Sequence, residues 1–416
     1  MGSTSPPGGR GIPRAAWAIL AGASLLLTIG MGVRQSLGIF MPGITRGIGI
    51  SVADFTLAIA VQNLSWGLLQ PFAGALAVRI GYGRLMISGA LIYLAGLLVL
   101  TTAQGATAVM IGAGIAIGLS MACAGPAIAM AVAARAVPPA VRSTVLGMVS
   151  AAGSLGAMIA APIGQSLMQH QDWRWGVAGF AVLAALMIPA ALAAGRIDRI
   201  AAPAQDPSDQ LSALGAVRVA LANPYFVVMA LAYFVCGMQL IFLTTHLPSY
   251  LDLCGMDPML SAQALGMIGA FNVLGSLFFG WAGGKWNKLL LLGAIYFIRS
   301  LALCWYFIGT ATPSTTLVFA AIMGFLWLGV SPLIQGWIVD TFGLKWQAML
   351  GGVAFVSHQF GSFVGAYGGG MLFVAMGNYD TAWKIGVGVG LLFGAMQMAA
   401  SLKAGSKPRL PPLTAA

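Results

Sequence analysis

Unbroken apolar runs of bilayer-crossing length constrain this chain more than any other feature. A helix needs about 20 apolar residues to cross the hydrocarbon core, which is roughly 30 Å thick. Runs of that order fall at about 15–42, 54–78, 85–103, 107–134, 141–168 and 175–195. A second set falls at about 225–251, 261–283, 287–308, 313–339, 347–373 and 381–402. The composition is 59% hydrophobic and only 7% charged, where a soluble domain carries about 25% charged residues. Barrel strands would show alternation in place of continuous apolar stretches. Hydrocarbon offers backbone groups no partners, so runs of this kind satisfy their own hydrogen bonds as helices. The reading is an all-α integral membrane protein with twelve transmembrane helices and the lipid bilayer as its solvent.

The net charge of +11 would point a soluble chain toward nucleic acid, but its distribution gives it another meaning. Fifteen basic residues fall on one side of the predicted membrane, from Arg10 and Arg14 through to Lys407 and Arg409. Arg46, Arg174 and Lys384 fall on the other side, and Arg34 and Arg299 fall inside spans. This is the positive-inside pattern. It places both termini in the cytoplasm of a cell (inner) membrane protein and gives no reason to expect a nucleic-acid partner. All nine acidic residues are aspartates, and all lie in or next to loops. The spans therefore hold two arginines and no carboxylate. Residues 1–14 and 403–416 read as polar cytoplasmic tails, the first disordered. Cys123, Cys236, Cys254 and Cys304 lack pairing or metal-ligand spacing, so no disulfide, metal or cofactor is expected.

The chain repeats itself about a polar stretch at 196–224. Pro42 and Pro248 end the first predicted span of each half, and Gly74 and Gly280 follow at the same offset of 32. Gly89-Ala-Leu-Ile-Tyr93 is echoed by Gly293-Ala-Ile-Tyr296. Pro126 and Pro332 interrupt the fourth and tenth spans, and Gly153-Ser154 and Gly361-Ser362 mark the fifth and eleventh. Internal repeats of this order are a signature of secondary transporters. The expected organisation is a bundle over 15–195, a linker over 196–224 and a second bundle over 225–402.

The loop from Gly74 through Arg79 and Gly81 to Arg84 resembles the glycine–acid–base–glycine–base signature of the major facilitator superfamily, and the resemblance spans essentially the whole chain. It implies two pseudo-symmetric six-helix bundles, alternating access, and a cavity lined by the first, fourth, seventh and tenth spans in a protein that works as a monomer. It also implies an interbundle gate at Gly74, Arg79, Gly81, Arg84 and Pro332. The sequence departs from the signature at Val78 and at Gly284 in the second copy, where the acid is missing. Arg79 and Arg84 therefore also read as positive-inside anchors. Thr245-His246-Leu247-Pro248, Trp327 to Pro332, Ser357 to Gly365 and Gly377 to Trp383 resemble bacterial relatives of monocarboxylate porters and oxalate–formate exchangers.

An ionisable residue inside a span is costly and points to function. Arg34 lies in the outer part of the first span, where a guanidinium can hold a carboxylate through two hydrogen bonds. The competing reading has it reach the headgroups or cap carbonyls near Pro42. His246 and His358, the histidines within spans, are candidate proton carriers or interhelical hydrogen-bonders. Asn63 and Trp66, with Gln62 and Gln70 beside them, are candidates to orient a polar ligand or to pack helices. Trp327 and Gln335 flank the break at Pro332 and are further candidates for the ligand site. Arg299 is expected to bond carbonyls or Asn272 in a structural role, or to be a second substrate site. Gln359 shares the bonding of His358.

A cationic, acid-free interior argues for a secondary transporter of a small organic anion, a monocarboxylate by resemblance, moved by proton symport or anion exchange. Alternatives are efflux of neutral or amphipathic compounds, for which 22 methionines would supply a plastic cavity, and a non-transporting sensor or assembly factor. No phosphate loop or catalytic constellation points to an enzyme.

Overall fold

The computed structural model describes residues 12–170, 172–200 and 211–403. Most of the two tails and the middle of the linker lie outside the described residues. Twelve helical rods run through the rest. In the first half they are α1 (Arg14–Ile48), α2 (Val52–Ile80), α3 (Tyr82–Thr101), α4 (Ala106–Ala136), α5 (Pro139–His170) and α6 (Trp173–Arg199). The second half holds α7 (Pro224–Leu253), α8 (Pro258–Ala282), α9 (Lys288–Ile308), α10 (Pro313–Phe342), α11 (347–376) and α12 (Asp380–Lys403). A short helix, Ala213–Ala222, precedes α7; Ser212 caps it, and Trp346 Nε1 donates to the Leu211 carbonyl at 3.2 Å beside it.

Ten of the rods have the length and mean hydropathy of a bilayer-crossing helix. The other two are α2, diluted by Gln62, Asn63 and Gln70, and α11, diluted by Ser357, His358, Gln359 and Ser362. These two rods face each other between the bundles, so polarity has concentrated where lipid is absent. The aspartates serve the helix ends. Asp54 completes a capping box with Ser51 on α2, and Asp172 and Asp257 accept from first-turn amides of α6 and α8. A carboxylate there satisfies orphan N–H groups and complements the helix dipole.

Two expected helix ends are longer than the sequence reading. A 3₁₀ turn at Leu37–Phe40 leads into Met41–Ile48, and α1 continues past Pro42. Proline fits because it sits in the first turn of the new segment, where its missing N–H has no intrahelical acceptor. The seventh rod likewise runs beyond position 248 to Leu253.

Each half builds its own core. The two cores interlock at the end of the molecule that bears residues 12 and 403, where Val339 and Ala348 pack into the first core and Ala75 and Val78 against the second. Here α2 crosses α11, and α5 crosses α8. The repeated glycines sit at both crossings. A Cβ on Gly74 would lie 2.6 Å from the Ala348 carbonyl carbon and Met349 Cα, and one on Gly280 would lie 2.9 Å from the Gly147 nitrogen. Backbone therefore meets backbone between the bundles, as small residues permit in membrane helices. The second half of α4, Pro126–Ala136, is buried almost all round at this seam.

Gly74→Val overfills the α2–α11 crossing, and overpacking of this kind costs about 1–3 kcal/mol. The expected outcome is a lower Tm for the purified protein and faster alkylation of an Ala348→Cys probe at the seam. An unchanged Tm and alkylation rate would show that this crossing is not a tight contact.

Candidate functional site

Between the bundles lies a cavity of about 490 Å³, within the range of small-molecule sites. Its floor is buried at Gln335 and Gly351, while Gln35, Gly38 and Thr245 along its wall are exposed. It therefore opens toward the end opposite the interlocked cores.

Arg34 is the lone charged residue among the described residues that line it, and no carboxylate lines it. Two groups from α2 hold the guanidinium. Nη2 donates to Asn63 Oδ1, and the guanidinium carbon lies 4.8 Å from the centroid of the Trp66 ring, a cation–π contact. Arg34 Nε is buried and has no partner among the described residues. Nη2 is thus engaged, while Nε is left to a ligand. Capping of carbonyls near Pro42 falls to Arg46, whose Nε donates to the Pro42 carbonyl at 3.0 Å.

The neighbours of Asn63 and Trp66 fix this platform. Gln62 Nε2 donates to the Ala113 carbonyl at 2.6 Å and Gln70 Nε2 to the Ala122 carbonyl at 3.1 Å, tying α2 to α4. Trp66 Nε1 donates to Gln70 Oε1 at 3.0 Å. Of these four residues on α2, Gln62 and Gln70 spend their amide N–H groups on packing, and Asn63 and Trp66 frame the arginine.

The opposite wall comes from α11 and α7. His358 Nδ1 lies 3.0 Å from Gln359 Oε1, and Gln359 Nε2 donates to the Asn63 carbonyl at 2.7 Å. A polar chain thus runs from Arg34 through Asn63 and Gln359 to His358, crossing between bundles. The Gln359 side chain fits because residue 67 is glycine; a Cβ there would come within 2.9 Å of the Gln359 Cβ. Tyr233 and Phe355 pack on the His358 ring at 4.7 and 5.1 Å, and Phe355 also packs on Trp66 at 4.7 Å. Tyr233 and Phe355 were missed in the sequence, where an aromatic in an apolar run looks like any other packing residue.

Helix breaks shape the remaining wall. Gly125 is extended ahead of Pro126 on α4, and α10 loses helical form between Phe325 and Val330. Asn272 Oδ1 accepts from Leu328 N at 2.9 Å in that gap, which satisfies an amide freed by the break. Trp327 lies in the gap and Gln335 beyond it, both lining the cavity, while Pro332 is buried in the first turn of the resumed helix. Gln335 Oε1 accepts from Gln347 Nε2 at 3.3 Å.

Other expected site residues lie elsewhere. His246 does not line this cavity. Its Nε2 is 2.9 Å from the Ala366 carbonyl and its Nδ1 is 3.3 Å from Tyr379 Oη. A carbonyl only accepts, so the ring donates from Nε2 and accepts from tyrosine, an interhelical joint between α7, α11 and the turn before α12. Arg299 is fully buried on α9, outside the cavity; its Nε donates to Gln239 Oε1 at 3.2 Å, and Asn272, its expected partner, is engaged by α10. Placing a charged arginine at mid-membrane costs about 2.5–3.5 kcal/mol on insertion scales. Arg79 and Arg84 are exposed and form no hydrogen bond or ion pair across the bundle interface among the described residues. The Gly81 turn has φ 91°, and Asp198 accepts from Tyr82 N at 3.0 Å and Gly83 N at 2.8 Å. The loop signature therefore ties α3 to α6 within one bundle, with Gly74 alone at the interbundle crossing.

Comparison with known proteins agrees with this architecture. The model of the Major Facilitator Superfamily matches residues 20–366, and the chain belongs to that superfamily. It is 22% identical over 379 residues to the uncharacterized MFS-type transporter YcxA of Bacillus subtilis (strain 168), over 87% of this chain and 89% of that protein. Its fold is similar to that of the E. coli fucose:proton symporter FucP, with a TM-score of 0.73 and 18% identity over 92% of this chain and 99% of that one. The proton:xylose symporter XylE aligns with a TM-score of 0.68 and 12% identity over 94% of this chain and 95% of that one. The chain is thus a multi-pass membrane transporter and not an enzyme.

Because His246 bonds α7 to α11 away from the cavity, His246→Leu is expected to lower the Tm while leaving the KM of the transported solute within about twofold of wild type. Each hydrogen bond lost from a membrane bundle costs about 0.6 kcal/mol on average. A many-fold change in KM with an unchanged Tm would return His246 to the ligand site.

Proposed function

We propose that this transporter moves a small organic anion, a monocarboxylate, by alternating access, with Arg34 as the anchor. The observation that supports this reading is the cavity's charge among the described residues: one arginine, no carboxylate, and a buried Arg34 Nε without a partner. A guanidinium presents paired donors that match a carboxylate. Asn63 and Trp66 hold its other edge and ring face, so binding requires little reorganisation. Trp66, Phe355 and Trp327 offer apolar surface to the carbon part of the solute, and Gln335 offers an amide at the floor.

The basic residues on the side of the termini orient the chain with both termini cytoplasmic in a cell (inner) membrane. The cavity then opens outward, and the interlocked seam at Gly74 and Gly280 is the closed cytoplasmic gate. Rocking of the bundles about these crossings would open the other side. The site is complete within one chain, which accords with a monomer.

His358 is the proton carrier in this reading, replacing His246. It is the histidine that lines the cavity, and its chain of hydrogen bonds leads to the residue that holds Arg34. An anion taken up with a proton crosses as a neutral pair, which removes the charge cost of the empty-to-loaded transition. FucP and XylE are named as proton symporters, and proton coupling is the part of that likeness carried over.

Arg34→Gln is expected to cut proteoliposome uptake of labelled monocarboxylates at least tenfold, since a hydrogen bond to a charged group is worth about 1.5–3 kcal/mol. Uptake at the wild-type rate would remove Arg34 from the site, and retained efflux of hydrophobic dyes in its place would favour the amphipathic-cargo reading. His358→Phe is expected to abolish accumulation driven by an acid-outside pH gradient while preserving solute counterflow. Gradient-driven accumulation that survives this change would rule out His358 as the carrier.

A further inference from the structure

We propose that Arg299 and Tyr296 hold a small inorganic anion of halide size inside the second bundle, apart from the substrate cavity. Arg299 is fully buried, and a guanidinium stays protonated in proteins. Its Nε donates to Gln239 Oε1 at 3.2 Å. Nη1 and Nη2 have no partner among the described residues, and the same is true of the buried Tyr296 Oη. The two residues share one face of α9, with the guanidinium carbon 5.5 Å from the tyrosine ring centroid. Gln239 is itself committed, its Nε2 donating to Ser300 Oγ at 2.8 Å and to the Gly386 carbonyl at 3.0 Å. The Cys236 sulfur adjoins the guanidinium and offers it only a weak hydrogen bond, because a thiol is a weak acceptor.

The result is a cluster with a surplus of donors and a full positive charge. Every ion pair among the described residues lies elsewhere, at Arg174–Asp172, Lys288–Asp340 and Lys384–Asp380. Buried charges are paired, hydrogen-bonded or coordinated. A pocket with a surplus of donors and net positive charge selects an anion, because one acceptor answers both the charge and the unmade hydrogen bonds. The size limit comes from the surroundings. The neighbouring crevice, lined by Gln239, Leu303 and Gly386, holds about 120 Å³, far less than the substrate cavity, and Gln239 forms part of both its wall and the Arg299 cluster. Arg299 and Tyr296 themselves are fully buried and line neither that crevice nor the substrate cavity, so the anion is one small enough to sit between packed side chains. Nothing in this assignment depends on what the main cavity carries.

The test uses purified full-length protein carrying Arg34→Ala, so that halide at the substrate cavity does not contribute. Thermal unfolding is followed in chloride, bromide and gluconate at constant ionic strength. Halide is expected to raise the Tm saturably, by about 5 °C, relative to gluconate. Arg299→Met should abolish the shift. Tyr296→Phe, which keeps the ring and removes the hydroxyl, should weaken the apparent halide affinity about tenfold. Bromide added to crystals should give an anomalous peak beside the guanidinium. A Tm indifferent to halide in the Arg34→Ala protein overturns the proposal, as does a halide shift that survives Arg299→Met. Should Arg299→Met fail to fold, an unchanged halide affinity in Tyr296→Phe overturns it instead.

Discussion

Hydrocarbon supplies no hydrogen bonds, and most of this structure follows from that lack. Backbone groups close on themselves as helices, and side-chain polarity withdraws to helix ends or to surfaces shared between helices. The aspartates cap first turns, and the amides of α2 bond the carbonyls of α4. Where a helix breaks, as α10 does before Pro332, another helix sends a side chain to meet the freed amide. In the cavity between the bundles Arg34 Nε is left without a partner among the described residues, and that is why the cavity reads as the place where a solute enters.

The two crossings between the bundles obey a second rule, that of close approach. Gly74 and Gly280 bring main chain against main chain, so the bundles are held by short-range packing over a narrow seam. The acids missing at Val78 and Gly284 leave the family's charge latch unbuilt, and among the described residues no ion pair spans the seam. The seam is thus held chiefly by shape, with the attraction between Arg142 and Asp340 the charge interaction across it that salt would screen.

Much of the architecture was legible in the sequence because its causes are one-dimensional. Apolar length gave the rods, basic asymmetry gave the orientation now proposed, and the offset from Pro42 to Gly74 and from Pro248 to Gly280 exposed the repeat. Pairing between distant residues was not legible. Arg34 with Asn63 and Trp66, and Gln359 with the Asn63 carbonyl, depend on how α1, α2 and α11 rotate about their axes, and no local pattern encodes that rotation. The same gap explains His246. Its residue type suggested proton transfer, but only the fold reveals that Ala366 and Tyr379 occupy both ring nitrogens. Tyr233 and Phe355 carried no signal at all, since an aromatic facing a cavity and one facing lipid look alike in a string.

The bond from Gln359 to the Asn63 carbonyl has an asymmetry with evolutionary weight. Its acceptor is main chain, so no substitution at position 63 deletes it. Its donor is a single side chain, threaded through the slot left by Gly67. Position 63 can thus vary and reposition the arginine without loosening the tie between halves. Positions 359 and 67 are bound to each other and to the fold. The hold on Arg34 and the tie between halves meet at one residue yet reside in different parts of it, the first in the Asn63 side-chain amide and the second in its main-chain carbonyl.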